Sequence, residues 1–341
     1  MTAEIPRWSL PPRRGGYLEG ASGSARLLGI DAARGLALIG MMVAHVGITT
    51  EDFSPAGGLA GWLGLAHGRS SILFALVAGF SLGILSGRTV PHSGQRLVHT
   101  RLRILVRAAI LLGAGALLEL LGTPIYVILG YYATWFVLAL LVLTWPVRRI
   151  LLLAVGVAAI GPVLHHLLPA VLVMAGFLAP LAETGNSVPI DFLLTGAYPG
   201  VVWMAYILVG LALSRLEWDS PARIVRLLGT GVLASALGYG GSAALVSVAG
   251  PGAGRFGPEG TPMITALLLA EPHADSFFEV LGSGGFAVAA VALFLLLERG
   301  AAPILAPLIT LGSMSLTVYS LHVVAYWVVG RREGFPWVEG N

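Results

Sequence analysis

Apolar residues fall in long runs separated by short polar segments rich in arginine. The runs cover 27–49, 60–86, 101–121, 124–145, 149–168, 196–214, 224–249, 276–297 and 303–330. A helix of about 20 apolar residues crosses the hydrocarbon core of a bilayer, so the pattern predicts nine spans. None of the runs alternates in polarity with the period of two that a membrane barrel requires. Two shorter apolar stretches read as re-entrant or interfacial pieces: 169–182, with Pro169 and Pro180, and Thr261 to Ala270, lying between Pro262 and Pro272. The expected fold is all-α, a polytopic transmembrane bundle of about 9–11 helices with a cytoplasmic N-terminus. A tail precedes it (1–26), the membrane domain spans 27–330, and a second tail follows (331–341).

Composition agrees with the pattern. The chain is 56% hydrophobic and 11% charged, whereas soluble domains carry about a quarter charged residues. Its 46 glycines suit helices packed closely in lipid. The absence of cysteine excludes disulfides and thiolate metal sites. A net charge of only +3, with the arginines in short loops, points to topology and away from nucleic acid. Arg7, Arg13, Arg14, Arg26, Arg88, Arg96, Arg101, Arg103, Arg148, Arg149, Arg215, Arg223, Arg226 and Arg299 all fall on one side when the N-terminus is inside. No small-residue cleavage site follows the first run, which reads as a retained helix in the inner membrane. Nine spans place Arg331 and Arg332 on the unfavoured side, so a further span past Asn341, or a miscounted one, is expected.

The polar residues inside this apolar chain carry its candidate chemistry. Asp31-Ala-Ala-Arg34-Gly35 opens the first run. Charges in a membrane helix are costly unless paired or functional, and the i, i+3 spacing puts these two on one face. They read as a structural ion pair at the cytoplasmic mouth, with orientation of a pyrophosphate as the other role. His92 and His99 lie in a cytoplasmic loop, whereas His45, His67, His165, His166, His273 and His322 share the outer half of the membrane. Six histidines in one layer predict a common polar cavity, because imidazole serves as a proton carrier or nucleophile near neutral pH. No close ligand spacing accompanies them, the adjacent His165 and His166 are expected to point apart, and no metal is expected. Arg69, beside His67, suits a phosphate, a carboxylate or a helix end. Tyr131, Tyr132, Thr134 and Trp135, and likewise Tyr198, Pro199 and Trp203, read as packing or interfacial groups on which a carbohydrate could stack. His273 and Asp275 form an acid–base pair, an orienting pair or an exposed loop pair.

The segment Arg26-Leu-Leu-Gly-Ile-Asp31-Ala-Ala-Arg34-Gly35-Leu-Ala-Leu-Ile-Gly40-Met resembles the start of the membrane domain of the heparan-α-glucosaminide N-acetyltransferase family and its bacterial multi-pass relatives. His67-Gly68-Arg69-Ser70-Ser71 through Phe74 to Gly79 looks like the second-helix signature of the bacterial group. Three more similar segments follow in order: Tyr198 through Trp203 to Arg215, Pro272-His273-Ala-Asp275-Ser276 into Gly285, and Leu311-Gly312 through Tyr319 to His322. The ordered set marks the superfamily, not a substrate. It implies a transmembrane N- or O-acyltransferase with acetyl-CoA or another acyl-CoA as cytosolic donor and no metal. The acceptor would be a glycan or glycolipid on the far side. An essential histidine lies shortly before the family's second-helix motif; His67 is the match in location. His45, fourteen residues after Asp31, stands where the characterised enzyme has asparagine and is the runner-up. Arg69 is the third catalytic candidate, neutralising phosphate or a developing oxyanion. His273, Asp275, His322, Trp203 and Tyr319 are the candidate substrate-binding residues, and Asp31 and Arg34 the candidate donor-binding ones. Membrane lipid and a homodimer partner complete the expected partners, with no nucleic acid. The competing function is a proton-coupled transporter of a small acid, lipid or glycan precursor, which the outer histidines and the Asp31–Arg34 pair also suit.

Overall fold

A computed structural model describes residues 27–46, 55–176, 188–249 and 263–333, and among them there are helices and connections but no strand. The helices are α1 (Leu28–His45), α2 (Gly58–Leu63), α3 (Arg69–Leu85), α4 (Gly94–Glu119), α5 (Leu129–Ala139) and α6 (Val147–Met174). They continue with α7 (Val188–Ile190), α8 (Gly200–Ser214), α9 (Pro221–Ala249), α10 (Met263–Leu268), α11 (Phe277–Ser313) and α12 (Ser315–Glu333). The helices α3 and α8 are apolar on nearly every face and are buried almost throughout, as expected of helices at the centre of a bundle. They pack on each other, and α11 lies against α9, α1 and α3. Outside this centre, α4, α6 and α9 turn Val106, Ile110, Leu152, Val155, Val232 and Leu237 outward. An apolar surface on that scale needs hydrocarbon around it, so the protein is a multi-pass membrane bundle.

Five segments are long and apolar enough to cross a bilayer: α1, α2 with α3 (Gly58–Leu85), α6, Pro221–Val248 of α9, and α11. The pair Val188–Thr195 and Gly200–Ser214, bent by 68°, makes a sixth if it is one span. Helices also occupy the other predicted runs, but each departs from a simple span for a physical reason. The helix α4 carries Arg96, Arg101, Arg103 and Arg107. The helix α5 covers only 11 residues before the chain breaks into turns. The run 303–330 is interrupted at Met314 (φ −111°, ψ 33°), between α11 and α12. The gap expected near 298–302 is instead a kink inside α11 at Ala301 (φ −116°), just before Pro303.

The re-entrant piece expected at 169–182 does not begin at Pro169. Instead α6 runs through Pro162 and Pro169 to Met174, since neighbouring helices re-satisfy backbone groups that a membrane proline frees; residues 177–182 lie outside the described ones. The short α10 sits within the second such stretch, against α6, α9 and α11.

The Asp31–Arg34 pair closes the seam between α1 and α11. Arg34 Nη1 donates to Asp31 Oδ1 at 2.7 Å and to the Gly312 carbonyl at 3.0 Å, and Nη2 donates to Ser81 Oγ on α3 at 2.6 Å. One guanidinium thus joins three helices. The approach requires glycine on both sides: a Cβ on Gly35 would strike the Leu308 carbonyl, and one on Gly312 the Asp31 carbonyl. The start of α1 is further held by the Glu298 carboxylate, which accepts from the Gly29 N–H. Replacing Gly312 with leucine should therefore force α1 and α11 apart, at a cost of about 1–3 kcal/mol or more. Reversible denaturation in mixed micelles measures it; unchanged stability would mean that the helices do not meet here.

Candidate active site

Four of the six histidines expected in the outer half converge, although α1 and α12 bring two of them from opposite ends of the chain. The last residue of α1, His45, places Nδ1 3.0 Å from Nε2 of His322 on α12. Their rings stack at 5.3 Å, and because one nitrogen must donate to the other, each ring fixes the partner's tautomer. Tyr319, one turn earlier on α12, meets His322 edge-on at 5.1 Å, while its hydroxyl accepts from the Ile128 N–H at 3.2 Å. His67 and His273 are both close enough to His45 to interact with it electrostatically, and His67 also with His273. His45 thus has His322, His67 and His273 within electrostatic range, and His67 has His45 and His273.

The turn that carries His67 is shaped by Gly68, whose φ of +64° disfavours any L side chain. A Cβ there would stand 2.9 Å from the Pro272 Cβ. The absent side chain lets His67-Gly68-Arg69 press against the turn that ends at α11. That second turn holds His273 (φ +61°) and Asp275 (φ +47°) in the left-handed region, where non-glycine residues store strain, often at functional sites. His273 packs on Tyr198 at 5.3 Å and lies parallel to Trp203 at 6.2 Å. It keeps accessible surface although protein crowds it on most sides. That crowding, and then His67, hold its pKa below the ordinary histidine value.

Asp275 is buried, and its Oδ1 accepts from the Trp203 indole N–H at 2.8 Å. Burial first, and the Glu279 charge second, push its pKa well above the usual carboxylate range. Its other oxygen lies 3.9 Å from His165 Nε2. The two adjacent histidines do not point apart as expected: their rings touch edge-on at 4.8 Å, and both reach carbonyls of neighbouring turns. His165 Nδ1 lies 2.6 Å from the Leu194 carbonyl, and His166 Nε2 3.1 Å from that of Ala274. A carbonyl only accepts, so both nitrogens carry the proton. These two histidines support the turn from behind and do not join the cluster.

Arg69 is 9% exposed, and its Nε donates to the Tyr239 hydroxyl at 2.7 Å with the guanidinium 4.8 Å from the ring centroid. The same hydroxyl bonds Ser283 Oγ at 2.7 Å. Trp203 stacks on Trp135 at 5.6 Å, so the aromatic residues of α5 and α8 form the wall behind His273.

Asp31 and Arg34 lie apart from the histidines, and a cavity of about 390 Å³ opens beside Arg34. Its lining includes Arg34, Ser81, Arg107, Tyr132, Ser313 and Tyr319. The space therefore runs from a cationic end to Tyr319, whose ring separates it from His322. Arg107 is the residue that sequence reasoning missed, because an arginine near the start of a span reads as topology; its turn of α4 opens onto the cavity. Glu279 was missed as well, although Ser276-x-x-Glu279 has the spacing of a helix capping box. Among the described residues, no three His, Asp or Glu side chains are grouped to hold a metal ion.

Residues 26–246 match the family model described as heparan-alpha-glucosaminide N-acetyltransferase, catalytic. No curated protein and no solved structure matches the chain. The matched region contains His45, His67, Arg69, Arg107 and Trp203; His273, Asp275, Tyr319 and His322 lie beyond it.

Proposed function

Because more than half of its residues match that model, this chain belongs to the heparan-alpha-glucosaminide N-acetyltransferase family, and we propose that it moves an acyl group from cytosolic acyl-CoA, with acetyl-CoA as the first candidate, to a glycan or lipid-linked sugar at the outer face of the cytoplasmic membrane. The observation that carries this reading is the cavity that runs from Arg34 and Arg107 to Tyr319, the ring neighbour of His322. Phosphates of a donor suit the two guanidiniums. The rest of the lining, with Phe74, Ile110, Leu111 and Phe136, suits a thin, largely apolar arm.

The chemistry then falls to the histidines. His67 takes the proton from the acceptor amine or hydroxyl as that atom attacks the thioester carbonyl. The carbon–sulfur bond breaks, and the thiolate leaves as the thiol by recovering the proton from the imidazolium. The stacked His45–His322 pair lies one side chain from the cavity, beyond Tyr319. Arg69, whose guanidinium is engaged by Tyr239, fixes the turn of His67 in this mechanism and brings positive charge beside it. His273 and Trp203 offer the acceptor an imidazole and an aromatic face.

Labelled acetyl-CoA offered to purified protein in vesicles containing glycan acceptors tests the reading. Label on the acceptor supports it, whereas solute uptake without label transfer would establish transport instead. Within that assay, Arg107→Ala is expected to raise the donor KM about tenfold with kcat nearly unchanged, the loss of one charge-assisted contact to phosphate. An unchanged donor KM would separate Arg107 from the donor.

A further inference from the structure

The turn holding His273 and Asp275 poses a physical problem. Two non-glycine residues with positive φ flank Ala274, and each such residue costs roughly 1–2 kcal/mol. Something must hold them there. Both backbone N–H groups donate to one side chain, that of Glu279: His273 N to Oε1 at 2.7 Å and Asp275 N to Oε2 at 2.7 Å. Glu279 is 1% exposed, in the first turn of α11, and its own N–H donates to Ser276 Oγ at 3.0 Å. Capping alone does not explain this, because Ser276 already caps the helix and a buried carboxylate is expensive.

The same carboxylate also stands behind the turn of His67. A Cβ on Gly68 would lie 3.6 Å from Glu279 Oε1 as well as against Pro272, and the Arg69 charge acts on Glu279. The two turns that bear His67 and His273 therefore meet on one side chain. We propose that Glu279 is a positioning residue for acyl transfer: its carboxylate, gripping the His273 and Asp275 amides and abutting Gly68, sets His67 and His273 against each other. The assignment rests on the acyltransferase reading for its consequence, but the grip on the turn is independent of it.

Glu279→Gln keeps the shape of the side chain but replaces one acceptor oxygen by an N–H₂ group, which cannot receive a backbone N–H. Hydrogen exchange, followed by mass spectrometry on the intact protein in nanodiscs, reads the turn directly. The expected result is exchange at least about tenfold faster in peptides covering His273 to Asp275, with α8 peptides unchanged. In the transfer assay kcat should fall about a hundredfold, as for a displacement near 1 Å, while the donor KM stays constant. In a His273→Ala background the same substitution should cost much less, since both changes strike one unit. Ser276→Ala, which loosens Glu279 without touching its charge, should act in the same direction more weakly, and it decides the matter if the glutamine variant does not assemble. Turn amides as protected in both variants as in the wild type would overturn the proposal, as would released amides with full kcat. If the wild type transfers no acyl group, the functional reading fails, and the exchange result still decides what holds the turn.

Discussion

Replacing Arg34 with alanine is expected to destabilise the folded protein by about 3–5 kcal/mol, the range for removing one partner of a buried ion pair. Asp31 is 8% exposed and loses its counter-charge, and the Gly312 carbonyl and Ser81 hydroxyl lose their shared donor. An uncompensated carboxylate between helices is the largest part of the cost. Arg34→Lys should recover only a fraction, because one ammonium cannot reproduce a planar fork aimed at α1, α3 and α11 together. Pairing Arg34→Leu with Asp31→Ala should be less damaging than Arg34→Ala alone, since it removes the stranded charge. Reversible denaturation of the four proteins in mixed micelles checks this. A double variant no better than the single one would shift the cost from the charge to the packing of α1 on α11.

That seam shows what the chain discloses by itself. Spacing alone paired Asp31 with Arg34, because an i, i+3 pair is a local fact. That the guanidinium also reaches Ser81 and the Gly312 carbonyl is a matter of packing across almost the whole chain, and no local pattern carries it. The helical bundle was legible for a similar reason, since run length and apolarity decide which segments lipid accepts. The break at Met314 and the course of α6 past Pro169 depend on neighbouring helices. Counting spans predicts a common layer for six histidines, but depth does not fix azimuth. His45, His67, His273 and His322 meet, whereas His165 and His166 face carbonyls of other turns. Glu279 carried a local signature, and its larger work lies in left-handed residues that no sequence pattern announces.

His67→Ala is expected to lower acyl transfer by about 10²–10⁴-fold in kcat, the contribution of a general base, with stability and donor KM nearly unchanged. The reason to choose His67 over His45 is geometric. His45 and His322 each commit a ring nitrogen to the other at 3.0 Å, which leaves that pair as a rigid edge of the site. His67 stands on an extended residue just before Gly68, outside any helix, and interacts with both His45 and His273. His45→Ala and His322→Ala should accordingly give smaller losses that resemble one another, and combining them should cost little more than either, because each removes the same pair. A pH profile distinguishes the cases: loss of His67 should flatten the limb on which activity rises with pH, as a base emerges from protonation, while loss of the pair should leave that limb in place. Full transfer by His67→Ala together with a collapsed His45→Ala would give the base role to His45 and leave His67 as its support.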